Sequence, residues 1–233
     1  VSTRVEIVQE VFMSLTAVIT GANRGIGLEL ARHYAREGYA VVGVCRQASD
    51  ELKAVAADII AGVDVTQQEG IAELITSLNG KEIDLLINNA GLLADEKLGE
   101  LDLDSIRQQM EINAYAPLKV TEALLPNLKE GSKVALITSR MGSIADNDSG
   151  GRYGYRASKA ALNAFGKSLS VDLKPQGIAV ALLHPGFVKT RMVNFGGLIS
   201  PEEAAQGLAA RIAELNLENT GSFWHSNGEL LPW

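Results

Sequence analysis

Two hydrophobic rhythms take turns along this chain. Short apolar runs bounded by Gly, Asn, Asp or Ser lie near 15–20, 40–45, 58–63, 83–88, 133–138, 178–183 and 221–225, and their length and β-branched content read as strands. Between them, apolar residues recur at helical spacing over 24–37, 67–78, 103–128, 155–173 and 201–215, with a weaker helical piece at 48–56. Strands that alternate with helices and lack a polar face belong to a parallel sheet covered on both sides. In such sheets ligands bind beyond the carboxyl ends of the strands, where the strand order reverses. Chemistry is therefore to be sought at the ends of these runs and on the helices that follow. Two irregular segments, Met141–Tyr153 and Thr190–Ser200, read as cleft walls or as ordinary surface loops.

Composition narrows the classes. The 233 residues suit one domain, and a 46% hydrophobic content supplies a sizeable core. A net charge of −7 argues against nucleic acid or an anionic membrane as the partner. No apolar run approaches the roughly 18 residues of a membrane span. Residues 1–13 read as a leader or N-terminal extension without a secretory pattern, with the domain over 14–233, and the expected location is cytoplasmic. The single cysteine, Cys45, excludes an internal disulfide and reads as a buried, inert thiol. His33 and His225 lack partners at ligand spacing, so no metal is expected.

Two segments carry chemistry. Thr20-Gly21-Ala22-Asn23-Arg24-Gly25-Ile26-Gly27 runs from a strand through a glycine turn into a helix. Gly21 permits the turn, Gly25 lets backbone approach a pyrophosphate, and Gly27 lets helix pack on strand, which places an anion on the helix N-terminus. The spacing departs from Gly-x-Gly-x-x-Gly, and alone it equally suits a plain glycine-rich turn. Tyr155 and Lys159, at i and i+4 of a helical stretch, share one face. A nearby ammonium favours the phenolate and brings a tyrosine toward useful acid–base chemistry. Alone, such a pair also occurs on solvated helix faces.

Together with Asn88-Asn89-Ala90-Gly91, Asn113, Ser139 and Pro185-Gly186, in that order, these segments resemble the short-chain dehydrogenase/reductase family from about Leu15 to Trp233. The resemblance implies one Rossmann-type, doubly wound α/β domain with a seven-stranded, mainly parallel sheet. It implies Tyr155 as the proton donor, Ser139 polarising the same carbonyl, Lys159 lowering the Tyr155 pKa and binding ribose, and Asn113 holding a water. Cofactor contacts are implied for Gly21, Asn23, Arg24, Gly25, Ile26, Gly27, Arg46, Asp64, Val65, Asn89, Ala90, Gly91, Tyr155, Lys159, Pro185, Gly186, Val188 and Thr190. Tyr153 has no lysine at i+4 and reads as a loop or cleft-wall aromatic, and His184 as a packed residue. In this family the 103–128 and 155–173 helices commonly build homodimers or homotetramers.

Charge bears on the cofactor. Strand 40–45 ends in Arg46 with no acid in place, and Arg24 lies in the glycine turn, so two guanidiniums are available for a ribose 2′-phosphate. NADP(H) is expected over NAD(H), with Asp50 the residue that would favour the latter. The ending Gly221–Trp233 and the short segment after Thr190 resemble the C-factor/Sniffer-like carbonyl reductase branch. The expected activity is NADPH-dependent conversion of a small carbonyl or alcohol. An NADP(H)-binding sensor or signalling protein with little turnover is the alternative.

Overall fold

The computed structural model describes residues 14–233. The leader, residues 1–13, lies outside the described residues. Seven strands form one sheet in the order β3-β2-β1-β4-β5-β6-β7: β1 Thr16–Thr20, β2 Ala40–Cys45, β3 Asp58–Ala61, β4 Ile83–Asn88, β5 Leu128–Ile137, β6 Ala179–His184 and β7 Phe223–His225. Every pairing is parallel, from Val42↔Asp58 at one edge to Leu182↔Phe223 at the other. The strand order reverses between β1 and β4, and the chemical motifs gather there.

Both sheet faces are covered, which explains the continuous apolar runs. Ala17 and Ile19 of β1 pack with Leu28, Leu30 and Ala31 of α1 (Gly25–Arg36), and with Leu208 and Ile212 of a C-terminal helix, Pro201–Glu214. Val18 points the other way, into a cluster with Leu74, Val120 and Leu162. Those residues belong to α3 (Gln68–Ser77), α5 (Ala116–Ala123) and α6 (Tyr153–Leu173). Between β2 and β3, α2 (Asp50–Lys53) is a single turn capped by Ser49. Before α5 comes α4 (Leu103–Met110), and the C-terminal helix is α7.

The expected 103–128 helix is interrupted. One turn of π-helix, Glu111–Tyr115, joins α4 to α5, and Pro126 sits in a closing 3₁₀ turn over Leu125–Asn127. Strand β5 consequently starts at Leu128, earlier than its apolar run, and bends at Gly131, whose φ of 88° only glycine adopts readily. Helix α6 starts at Tyr153, so that tyrosine stands on the helix and not in the preceding loop. Strand β7 has three residues, fewer than its apolar run.

Candidate active site

The glycine turn closes on itself. A Cβ on Gly27 would lie 2.3 Å from the Gly21 carbonyl oxygen, so glycine alone allows α1 to start this close to β1. Gly21 (φ 66°) and Gly25 (φ 54°) occupy the left-handed region. Asn89 secures the turn from β4, donating from Nδ2 to the carbonyls of Thr20 (3.1 Å) and Gly21 (3.2 Å). Thr20 returns the contact, its Oγ1 accepting the Asn89 and Ala90 N–H groups at 3.0 and 3.2 Å. Asn23 and Ile26 are half-buried, and Arg24 is exposed on the turn.

Arg46 leaves the end of β2 exposed, and among the described residues neither it nor Arg24 forms an ion pair. Asp50 pairs with Lys53 at 2.9 Å. Asp64, after β3, accepts from the Thr66 N–H (3.0 Å) and hydroxyl (2.7 Å). Partial burial pushes its pKa up, but those bonds and the Arg46 charge outweigh it and hold the carboxyl below its ordinary value. Val65 beside it packs against the second core cluster.

Beyond β6 the chain folds back across this turn. Gly186 (φ 91°) leaves room for Ile199 and His225, and Val188 bridges to Ile199. The Thr190 Cγ2 lies 3.5 Å from where a Cβ on Gly25 would stand. Pro185 is held through its carbonyl by the Ser226 hydroxyl at 3.1 Å. The His184 ring meets His225 edge-on at 4.8 Å, and burial drives its pKa down to about 3, so it stays neutral, as a packed residue should. Burial pushes the Cys45 thiol up, which keeps it unreactive. Among the described residues no cluster of His, Cys, Asp or Glu could hold a metal.

Asn113 and Lys159 flank Gly91, with Tyr155 one turn before Lys159 on α6 and Ser139 just beyond β5. Tyr155 (8% exposed), Lys159 (4%), Ser139 (6%) and Asn113 (0%) are all buried. A Cβ on Gly91 would lie 3.2 Å from Asn113 Oδ1 and 3.9 Å from Lys159 Nζ. The 3₁₀ turn after Ser139 rests on α6, because Gly142 has no side chain to strike the Lys159 backbone. Lys159 Nζ lies 5.8 Å from the Tyr155 ring centroid and donates to the Ile137 carbonyl at 2.8 Å. Asn113 donates to the Leu92 carbonyl (2.7 Å) and to Ser158 Oγ (3.0 Å), and accepts from the Leu92 N–H (2.8 Å).

The electrostatics correct one expectation. Burial raises the Tyr155 pKa, with Ser139 and the Arg152 charge acting in the opposite direction, and burial alone brings Lys159 down to about 7. Lys159 does not pull the phenol below its ordinary value. For both groups burial is the largest cause, since it disfavours the charged form of each.

Residues 15–196 match the short chain dehydrogenase family. The chain belongs to that family. A 1-hydroxy-2-glutathionyl-2-methyl-3-butene dehydrogenase of Rhodococcus sp. (strain AD45) is 42% identical over 94% of this chain and 99% of its own. The C-signal protein of Myxococcus xanthus is 44% identical over 65% of this chain and 93% of its own. Among solved structures, an NADPH-bound carbonyl reductase from chicken fatty liver superposes with a TM-score of 0.84 at 28% identity, covering 94% and 99% of the two chains. This short-chain dehydrogenase is an oxidoreductase of the C-factor/Sniffer-like branch. No helix among its described residues is long and apolar enough to cross a membrane.

Motif reading passed over Thr20, Ser158, Glu96 and Gln109. The first two are small polar residues whose partners come from distant segments. Glu96 and Gln109 lie in stretches without a motif, and only their burial sets them apart.

Proposed function

We propose that this short-chain dehydrogenase transfers hydride between NADP(H) and a small aldehyde, ketone or alcohol, with Tyr155 as the acid or base. The carrying observation is the joint burial of Tyr155, Lys159 and Ser139 where β5 ends and α6 begins, with Lys159 Nζ 5.8 Å from the Tyr155 ring centroid. When bound, NADP(H) supplies or accepts the hydride. The turn Gly21–Gly27, with Asn89, Ala90, Gly91, Pro185, Gly186, Val188 and Thr190, would hold it, and Asp64-Val65 would border the adenine. Arg24 and Arg46 are free to take a 2′-phosphate, whereas Asp50 is engaged by Lys53, which favours NADP(H) over NAD(H).

Within the cleft, the chain's own groups divide the proton work. A phenol whose pKa burial has raised stays protonated at neutral pH, as a donor to a developing alkoxide must. Ser139 would donate a hydrogen bond to the same oxygen. Lys159, at about 7, holds or releases a proton at physiological pH and can reload the phenol. The Asn113 amide N–H groups are both spent on Leu92 and Ser158, so the water proposed there falls to its second Oδ1 lone pair or its backbone carbonyl.

The exposed Ile144 on the loop leaving β5, with Phe187, Met192 and Phe195 on that leaving β6, suits an apolar substrate. The Rhodococcus relative is named for an alcohol, which keeps oxidation within the proposal. A panel of aldehydes, ketones and alcohols with NADPH or NADP and NADH or NAD in parallel tests it. Faster turnover with the phosphorylated cofactor is expected, and absence of turnover with every pair refutes it. The likeness to C-signal favours a second reading, an NADP(H)-binding signalling protein with little turnover, and tight NADPH binding without turnover would select it.

A further inference from the structure

Among the described residues only two charged side chains are buried: Lys159, already placed in the site, and Glu96 (2% exposed). A carboxylate leaves water at a cost unless hydrogen bonds replace its hydration. Three donors do so here. They are the Ser105 hydroxyl at 2.9 Å, the Gln109 side-chain amide, and the Gly154 backbone N–H at 3.1 Å. Gly154 immediately precedes Tyr155.

Helix α6 needs such a donor partner. Its preceding residue, Arg152, lies in the left-handed region (φ 50°, ψ 47°) and gives no side-chain cap. One of the unpaired N–H groups of the first turn, that of Gly154 at the positive end of the helix dipole, therefore meets the carboxylate of Glu96, 58 residues earlier in the chain. The Glu96 carbonyl also accepts the Arg152 N–H at 3.0 Å, and Asp95 pairs with the Arg152 side chain. First turns fray most readily, and Tyr155 stands in this one. The fit is tight, since a Cβ on Gly154 would lie 2.5 Å from Gln109 Nε2 and 3.1 Å from Glu96 Oε1.

We propose that Glu96 is the positioning residue for Tyr155. It caps the helix turn that carries the phenol, from the same loop whose start, Gly91, borders Asn113 and Lys159. One loop thereby sets the phenol's place relative to the nicotinamide site. The proposal rests on the reading of Tyr155 as the acid, and the test separates the two.

The full chain carrying Glu96→Ala, Glu96→Gln or Tyr155→Phe is assayed with NADPH and p-nitrobenzaldehyde, with kcat, KM, the pH profile of kcat, NADPH affinity and Tm measured for each. Glu96→Ala should lower kcat about tenfold or more, since small misplacements of reacting groups are costly. NADPH affinity should stay within about twofold, because the anion-binding turn lies elsewhere. Glu96→Gln keeps an acceptor for Gly154 and should recover most of kcat with a displaced pH profile. If Glu96→Ala does not fold, the Gln variant decides by that displacement. Wild-type kcat and pH profile in the Glu96 variants, beside an inactive Tyr155→Phe, would overturn the capping proposal alone. So would a fall in kcat, NADPH affinity and Tm together with an unmoved pH profile. An active Tyr155→Phe would overturn the acid assignment and the proposal with it.

Discussion

Lys159→Met should make the protein more stable and inactive at once. The ammonium is buried, and its pKa is about 7 against an ordinary 10.5. At about 1.4 kcal/mol per unit, burial of Lys159 costs folding on the order of 5 kcal/mol at neutral pH relative to an uncharged isostere. Losing the bond to the Ile137 carbonyl returns roughly 1–3 kcal/mol of that gain, because a buried acceptor is left unpaired. A net gain of about 2–4 kcal/mol corresponds, in a chain of this size, to a rise in Tm of roughly 4–16 °C.

The pH dependence gives the sharper test. Between about 7 and 10.5 the unfolded lysine binds more protons than the folded one, so wild-type stability rises with pH across that window. Below about 7 both states are protonated and the penalty is constant. Denaturant unfolding of both proteins at a series of pH values should show a stability gap that is flat at and below pH 7 and closes toward pH 10. A variant no more stable than wild type at neutral pH, or a gap that stays constant to pH 10, would refute the desolvation argument.

Tyr155→Phe should lower turnover at least about 100-fold while NADPH still binds, as fluorescence titration would register. Arg46→Asp should sharply reduce the NADPH-over-NADH preference in kcat/KM, and Arg24→Ala should do so less because it adds no repulsive charge; an unchanged preference in both would remove these arginines from the argument. Gly27→Ala drives a methyl into the Gly21 carbonyl, so destabilisation of about 1–3 kcal/mol is expected together with weakened NADPH binding, by thermal melts and titration.

The strand–helix alternation, the parallel sheet and the glycine turn were legible because each rests on local pattern: apolar runs at 15–20 and 83–88, helical spacing between, Gly21 and Gly27 at a strand end. Tyr155 and Lys159 were legible as partners for the same reason, four residues apart on one helix. The π turn at Glu111–Tyr115 was not, because its neighbours Leu103–Met110 and Ala116–Ala123 have ordinary helical composition and a π turn leaves no period of its own. The sign of the Tyr155 shift was missed because it depends on burial, which spacing does not encode. Glu96 escaped because its three donors come from Ser105, Gln109 and Gly154, which the fold alone assembles.

The short β7 strand has a consequence for assembly. Beyond β7 the chain doubles back, so that Trp224 bridges antiparallel to Leu230, the Leu231 N–H bonds the Phe223 carbonyl at 2.8 Å, and the His225 N–H bonds the Glu229 carbonyl at 2.9 Å. The backbone groups that β7 would offer to another molecule's strand are spent within the chain. At the opposite border β3 is only four residues long and opens on Asp58, which is tied to Lys81. Short, charged or occupied borders discourage a sheet from growing across molecules. Among the described residues, neither border thus offers a long free row of backbone groups to a second copy, and crowding this chain at high concentration should not template β-rich aggregates.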